Sequence, residues 1–180
     1  MEHSSITGLR LSTDGPAQTQ EMAAALAAVL VDGDLLVLTG DLGAGKTCFT
    51  QGLGRGLGIE DRITSPTFTL ANRYDGRLRL NHLDVYRLES LAETMDLGLA
   101  ELLEDGVTVV EWGDKIGGVL PLDHLVIALR YPDLPDEIEW DDPRTQQRLI
   151  DVTLNAETEA DSRWSDRGLD QVLAQWLVES

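Results

Sequence analysis

Apolar positions along the chain fall into two patterns, uninterrupted runs and helical spacings. Leu35-Leu36-Val37-Leu38 carries no charge and reads as a strand covered on both faces of a sheet. Gly106-Val107-Thr108-Val109-Val110-Glu111-Trp112 is a second buried run, and it ends in an acid. Residues 8–12, 125–131 and 148–154 predict further strands. Residues 67–74 and 77–86 predict two more, joined at the Asp75-Gly76 turn signal. Met22, Leu26, Val29 and Leu30 lie on one face at helical spacing. Their helix starts at Asp14-Gly15-Pro16, runs to about Leu30 and stops at Asp32-Gly33. A second helix is predicted from Lys46 to about Leu57, and a third over residues 91–103, interrupted at Gly98. Leu169, Val172, Leu173, Trp176 and Leu177 predict one face of a C-terminal helix. The pattern predicts an α/β fold, a three-layer sandwich with a mixed central sheet.

Composition narrows the class. A chain of 180 residues with 42% hydrophobic residues predicts one domain over residues 1–180, with the segment 131–180 packed on the same domain. No apolar run approaches the roughly 18 residues of a membrane span, and no basic-then-apolar leader opens the chain. The single cysteine, Cys48, cannot form an internal disulfide, which fits a cytoplasmic location. Net charge is −18, and only two lysines exist, Lys46 and Lys115. From Tyr131 onward thirteen acidic residues face four basic ones. Such a surface repels phosphate backbones, so any role in nucleic-acid metabolism would run through a partner. The charge also serves solubility.

Chemistry concentrates after the first apolar run. Gly40-Asp41-Leu42-Gly43-Ala44-Gly45-Lys46-Thr47 is G-x-x-x-x-G-K-T between a predicted strand and a predicted helix, the context of a nucleoside triphosphatase phosphate loop. Its N–H groups and the helix N-terminus suit phosphate oxygens. Lys46 can reach the β- and γ-phosphates, and the Thr47 hydroxyl can ligate Mg²⁺. Cys48 continues the loop into the helix. Gly52, Gly54, Gly56 and Gly58 weaken that helix's end; close packing, nucleotide approach and simple termination are each consistent with them. Glu111, at the end of a buried strand, suits the second acid that holds the metal or its water, since such burial is costly without a partner. Trp112 either covers the site or caps the core. His82, Asp84 and Tyr86 share one strand face by period two. Asp84 there could orient water, bind metal through water or accept a hydrogen bond from His82, or the three could form a structural cluster. Ser65 and Thr67, flanking Pro66, stand where nucleotide switches place hydroxyls, although an ordinary turn has the same look. No N-K-x-D element is present, so ATP is the expected nucleotide.

Together Gly40 to Thr47, Ser65-Pro66-Thr67-Phe68-Thr69-Leu70, His82-Leu83-Asp84-Val85-Tyr86-Arg87-Leu88, Gly98-Leu99 and Glu111-Trp112 resemble, in order and spacing, the TsaE (YjeE) ATPases of bacterial tRNA threonylcarbamoyladenosine synthesis. The resemblance spans residues 11–129. It implies a small P-loop ATPase with ATP and Mg²⁺ that assists TsaB and TsaD, touching tRNA only through them. It implies that Lys46 binds phosphate, that Thr47 and Glu111 hold Mg²⁺, that Asp84 is an active-site acid, that Trp112 is a neighbour important to activity, and that Ser65-Pro66-Thr67 is switch-like. Cys48 departs from the family, which commonly has a second hydroxyl there. Two other readings are a small-molecule P-loop kinase and a non-hydrolysing nucleotide-dependent adaptor. Arg73, Arg77, Arg79 and Arg87 are scattered around a hairpin rather than gathered in a kinase lid.

Overall fold

The computed structural model describes residues 6–88, 98–135, 137–139, 141–158 and 161–178. Among these residues seven strands form one sheet: β1 (Ile6–Thr13), β2 (Leu35–Thr39), β3 (Ala71–Tyr74), β4 (Leu80–Asp84), β5 (Val107–Glu111), β6 (His124–Arg130) and β7 (Arg148–Asn155). Their order across the sheet is β1-β7-β6-β2-β5-β4-β3. The inner four, β6, β2, β5 and β4, are parallel. β7 on one side and β3 on the other run antiparallel to them, and β1 pairs antiparallel with β7 and so runs in the same direction as the inner four. Helices α1 (Pro16–Ala27) and α2 (Lys46–Gly56) cover one face. The short α3 (Leu99–Glu104) and a 3-10 helix, Gly113–Val119, cover the other.

The two-sided burial read from Leu35 to Leu38 is literal. Leu36 and Leu38 join the large cluster under α1 and α2, while Leu35 and Val37 join the second cluster with Leu83, Val110 and Ile116. Alternation along one strand thus supplies two cores. The architecture is the P-loop nucleoside triphosphatase-like α/β sandwich with a mixed sheet. Among the described residues no helix is long and apolar enough to cross a membrane.

α1 stops at Ala27, three residues short of the expected end. The chain tightens there, with Ala28, Val29 and Leu30 donating backwards in short three-residue turns. Arg77 donates to the Ala27 carbonyl and Arg167 to that of Val29, so side chains also hold the carbonyls at the end of the helix. The glycines of α2 are explained by packing. A Cβ on Gly52 would lie 2.5 Å from the Gln20 carbonyl oxygen, and one on Gly56 would lie 2.6 Å from that of Ala24. Their absence lets α2 press its backbone against α1.

The hairpin is real but shorter than its pattern. β3 and β4 pair from Ala71↔Leu83 to Tyr74↔Leu80. Residues 67–70 form a turn instead, closed by Leu70 N–H donating to Pro66. Residues 91–97 of the third expected helix lie outside the described residues, and α3 holds its remainder. The C-terminal helix is a correction. Leu169–Val172 makes one turn and Ala174–Trp176 a 3-10 turn, with Leu173 leaving helical geometry between them. The break seats Leu173 and Trp176 in the large core and sends Leu177 to bridge Leu11 on β1. The spacing was satisfied by two broken turns as well as by one helix, and the open edge of β1 selects the former.

At the end of the sheet opposite the phosphate loop, Asp34 is fully buried. It accepts from the Val31 N–H at 2.9 Å, from Arg167, and from Arg163 at 3.5 Å. Arg167→Ala would leave that carboxylate short of its main partner. We expect a loss of about 3 kcal/mol, read by equilibrium urea unfolding. Gly52→Ala is expected to cost about 1–3 kcal/mol through overpacking against α1, despite a helix-propensity gain of about 1 kcal/mol; thermal unfolding checks it.

Candidate functional site

The C-terminal ends of β2, β5 and β4 lie side by side. Register places Leu38 of β2 and Asp84 of β4 on either side of Glu111 of β5. The loop leaving β2 curls over this edge into α2. Gly40, at φ +130°, could not carry a side chain, because a Cβ would meet the Leu129 carbonyl oxygen at 2.1 Å. Gly45, at φ +106°, turns the chain into the helix, and Phe49 N–H donates back to its carbonyl at 2.8 Å. Leu42 projects from the loop tip, 80% exposed, while Ala44 is buried beneath it.

Under the loop lies a cleft of about 380 Å³. Leu42, Gly43, Gly45, Lys46, Thr47, Cys48, Ser65, Thr67, Asp84, Glu111 and Trp112 line it, with Tyr86 and Arg87. Among the expected site residues, Gly40, Asp41 and Ala44 shape the loop without lining the cleft. The Lys46 ammonium folds inward, donating to the carbonyls of Gly40 at 2.7 Å and Asp41 at 2.9 Å, 3.6 Å over the Trp112 ring. Burial lowers its pKa, against the opposing charges of Glu111, Asp84, Asp41 and Asp114. A phosphate in the loop would offer the ammonium a stronger, charged acceptor than two carbonyls.

Two acids serve two neighbourhoods. Glu111 accepts from the Thr47 hydroxyl at 3.0 and 3.2 Å and from His82 Nε2 at 2.7 Å. Asp84 accepts through Oδ2 from Ser65 at 3.1 Å and Thr67 at 2.7 Å, and through Oδ1 from the Tyr86 N–H at 3.0 Å. His82 therefore reaches across the sheet to Glu111 and does not bond Asp84. Tyr86 lies beyond the end of β4, its ring 4.8 Å from that of Trp112. The expected His82–Asp84–Tyr86 face thus divides: His82 bonds Glu111, Asp84 bonds Ser65 and Thr67, and Tyr86 packs beside Trp112. Trp112, at φ +62°, covers the site with one side and packs against the second core with the other. Arg87 stacks on Phe68 at 4.4 Å at the cleft's mouth. Burial raises the pKa of Cys48, keeping it a thiol, and its sulfur faces the Pro16 carbonyl at 3.5 Å.

These donors fit a hard cation beside a phosphate chain. One hydroxyl and one carboxylate converge, and a cation bound largely by phosphates and water needs no more from the protein. Among the described residues no group of three or more His, Cys, Asp or Glu forms a cage of its own. Two further residues were not marked by the sequence. Tyr131 and Arg148 hold the outer face of the loop, donating to Gly43 and Ala44. Only the antiparallel return of β7 beside β6 brings them together, and no local motif announces it.

Residues 13–137 match the family described as Threonylcarbamoyl adenosine biosynthesis protein TsaE. A Treponema pallidum protein, tRNA threonylcarbamoyladenosine biosynthesis protein TsaE, is 52% identical over 103 residues, covering 57% of this chain and 76% of that one. The protein of the same description from Bacillus subtilis is 47% identical over 124 residues, covering 68% and 77%. The crystal structure of Bacillus subtilis YdiB superposes with a TM-score of 0.70 at 32% identity, over 97% of this chain and 98% of that one.

His82 is wholly buried and gives Glu111 its shortest hydrogen bond. His82→Leu should destabilise the fold by about 2 kcal/mol by stranding part of a buried carboxylate. His82→Gln, which retains an N–H donor, should cost less. Urea unfolding of the two variants side by side measures the difference.

Proposed function

The chain belongs to the TsaE family, and on that premise we propose that it is a single-domain, Mg²⁺-dependent ATPase serving a TsaB–TsaD complex. That complex threonylcarbamoylates adenosine 37 of tRNAs that read codons beginning with A. The chain would work in the cytoplasm, touching tRNA only through its partners, as its net charge of −18 favours.

The observation that carries this reading is the pairing inside one cleft of Thr47 with Glu111 and of Ser65 and Thr67 with Asp84. The loop N–H groups of residues 40–47 and the start of α2 hold the phosphates of ATP. Lys46 leaves the Gly40 and Asp41 carbonyls for the β- and γ-phosphate oxygens. Thr47 and Glu111 would hold Mg²⁺, whose positive charge would offset the negative charge that develops on the phosphates in transfer. Glu111 is kept in place for this by His82. Asp84 orients the attacking water, and its two hydroxyl partners make the Ser65–Thr67 turn sensitive to what occupies the cleft. Trp112 shields the Lys46 side of the site from solvent. Arg87 is the arginine that lines the cleft, and a partner can supply a further cationic group in trans. Hydrolysis would change what Ser65 and Thr67 contact and, through that turn, affinity for the partners, resetting the complex.

A kinase reading finds little support in the arginines. Arg77 is engaged with the end of α1, and Arg79 pairs with Asp75 and Asp105. Neither lines the cleft.

The test is reconstitution with TsaB, TsaD and tRNA. Wild type should support many rounds of modification, with phosphate release that is slow alone and faster in the complex. Lys46→Ala and Glu111→Ala should each lower turnover by about 100-fold or more. Both variants matching wild type would end the ATPase reading. ATP bound without phosphate release in the full mixture would favour the adaptor, and labelled phosphate on a small acceptor the kinase.

A further inference from the structure

Where a phosphate loop turns an N–H group inward toward an anion, the carbonyl of the same peptide plane points outward. Outward carbonyls at a crowded loop need donors of their own, or the peptide planes are free to rotate and turn the N–H groups away from the ligand. At the Gly43 and Ala44 carbonyls of this loop those donors are fixed side chains. The Tyr131 hydroxyl donates to the Gly43 carbonyl at 2.8 Å. Arg148 Nε donates to the Ala44 carbonyl at 3.0 Å, and a terminal nitrogen of the same guanidinium lies 3.5 Å from that of Gly43.

The two side chains also brace each other. The guanidinium stacks on the Tyr131 ring at 4.1 Å, and its remaining terminal nitrogen donates to the carbonyls of Thr145 at 3.1 Å and Gln147 at 2.7 Å. The sheet makes this meeting unavoidable. Arg130 at the end of β6 pairs with Leu149 of β7, so the next residues outward, Tyr131 and Arg148, face each other. The 16 residues between them in sequence, 132–147, are rich in acids, and the brace joins the two residues that flank them. Arg148 lies beyond the stretch that matches the family, which ends at residue 137.

We propose that Tyr131 and Arg148 are positioning residues for nucleotide binding: a clamp on the outer carbonyls of the phosphate loop that holds Gly43 and Ala44 in the orientation a phosphate chain requires. This rests on the reading of the cleft as an ATP site. The clamp grips the loop rather than the reacting atoms, so it favours bound substrate and transition state alike. Its loss falls on affinity and KM rather than on kcat. Arg148 adds a positive charge beside the loop of a protein that carries −18, and that charge favours an anionic ligand.

Calorimetric titration of ADP without Mg²⁺ isolates the loop from the metal site. Tyr131→Phe, which removes one hydroxyl, should weaken ADP about threefold to tenfold, and Arg148→Ala about tenfold or more. Arg148→Lys keeps the charge but cannot make the forked contact, and should fall between wild type and Arg148→Ala. Melting temperature without nucleotide should change little for Tyr131→Phe, whereas its rise on adding ADP should shrink. A purely structural role would lower the former and spare the latter. Wild type binding ADP with all three variants binding equally well removes the clamp and leaves the ATP site standing. Wild type failing to bind ADP removes both.

Discussion

A carboxylate sits almost without solvent at the end of a central strand, and much of the molecule answers to it. Glu111 is 3% exposed, and a charge so placed is tolerated only with close, well-directed donors. One donor comes from the first turn of α2 and another from the neighbouring strand β4. Meeting both demands requires β2, β5 and β4 to be adjacent, parallel and in a register that brings Leu38, Glu111 and Asp84 level. The cost of burying the charge and the placement of the cleft are thus one constraint seen from two directions.

The sheet meets that constraint with ordinary materials. β2 and β5 are covered on both sides, so their residues serve two cores in alternation and neither strand can slip by one position without exchanging them. α1 and α2 lie close because α2 carries glycine where it meets α1, which ties the helix after the phosphate loop to the element before it. On the far side, Tyr131 and Arg148 join the same loop to the last two strands in the chain's order. The loop is held from the helix layer and from the sheet edge at once.

The parts legible in the sequence were those whose causes are local. An uncharged run, a glycine spacing and an acid at a strand's end each say what they are within a dozen residues. So β2, the loop, α2 and the end of β5 could be read, as could the shared face of His82 and Asp84. What each of those two would touch could not, because it depends on register between strands distant in the chain. His82 faces Val109 in the ladder yet bonds Glu111. The same limit hid Tyr131 and Arg148, whose meeting is a product of pairing alone. At the C-terminus the limit took another form: spacing at 169, 172, 173 and 176 fits one helix or two broken turns, and only the unpaired rim of β1 distinguishes them.

That rim has a consequence for how the protein behaves among its own copies. A sheet ends in rows of unsatisfied N–H and C=O groups, which invite a second molecule to add a strand. Here Leu177 bridges Leu11 and the Val178 N–H donates to Arg10 at 2.9 Å, so the chain's own tail occupies part of one rim. At the other, β3 offers only four residues, with Arg73 standing exposed among them. Both borders are guarded, one by a latch and one by brevity, and a strongly negative surface keeps neighbours apart besides. The margins of the sheet are thus poor templates for a second copy to add a strand.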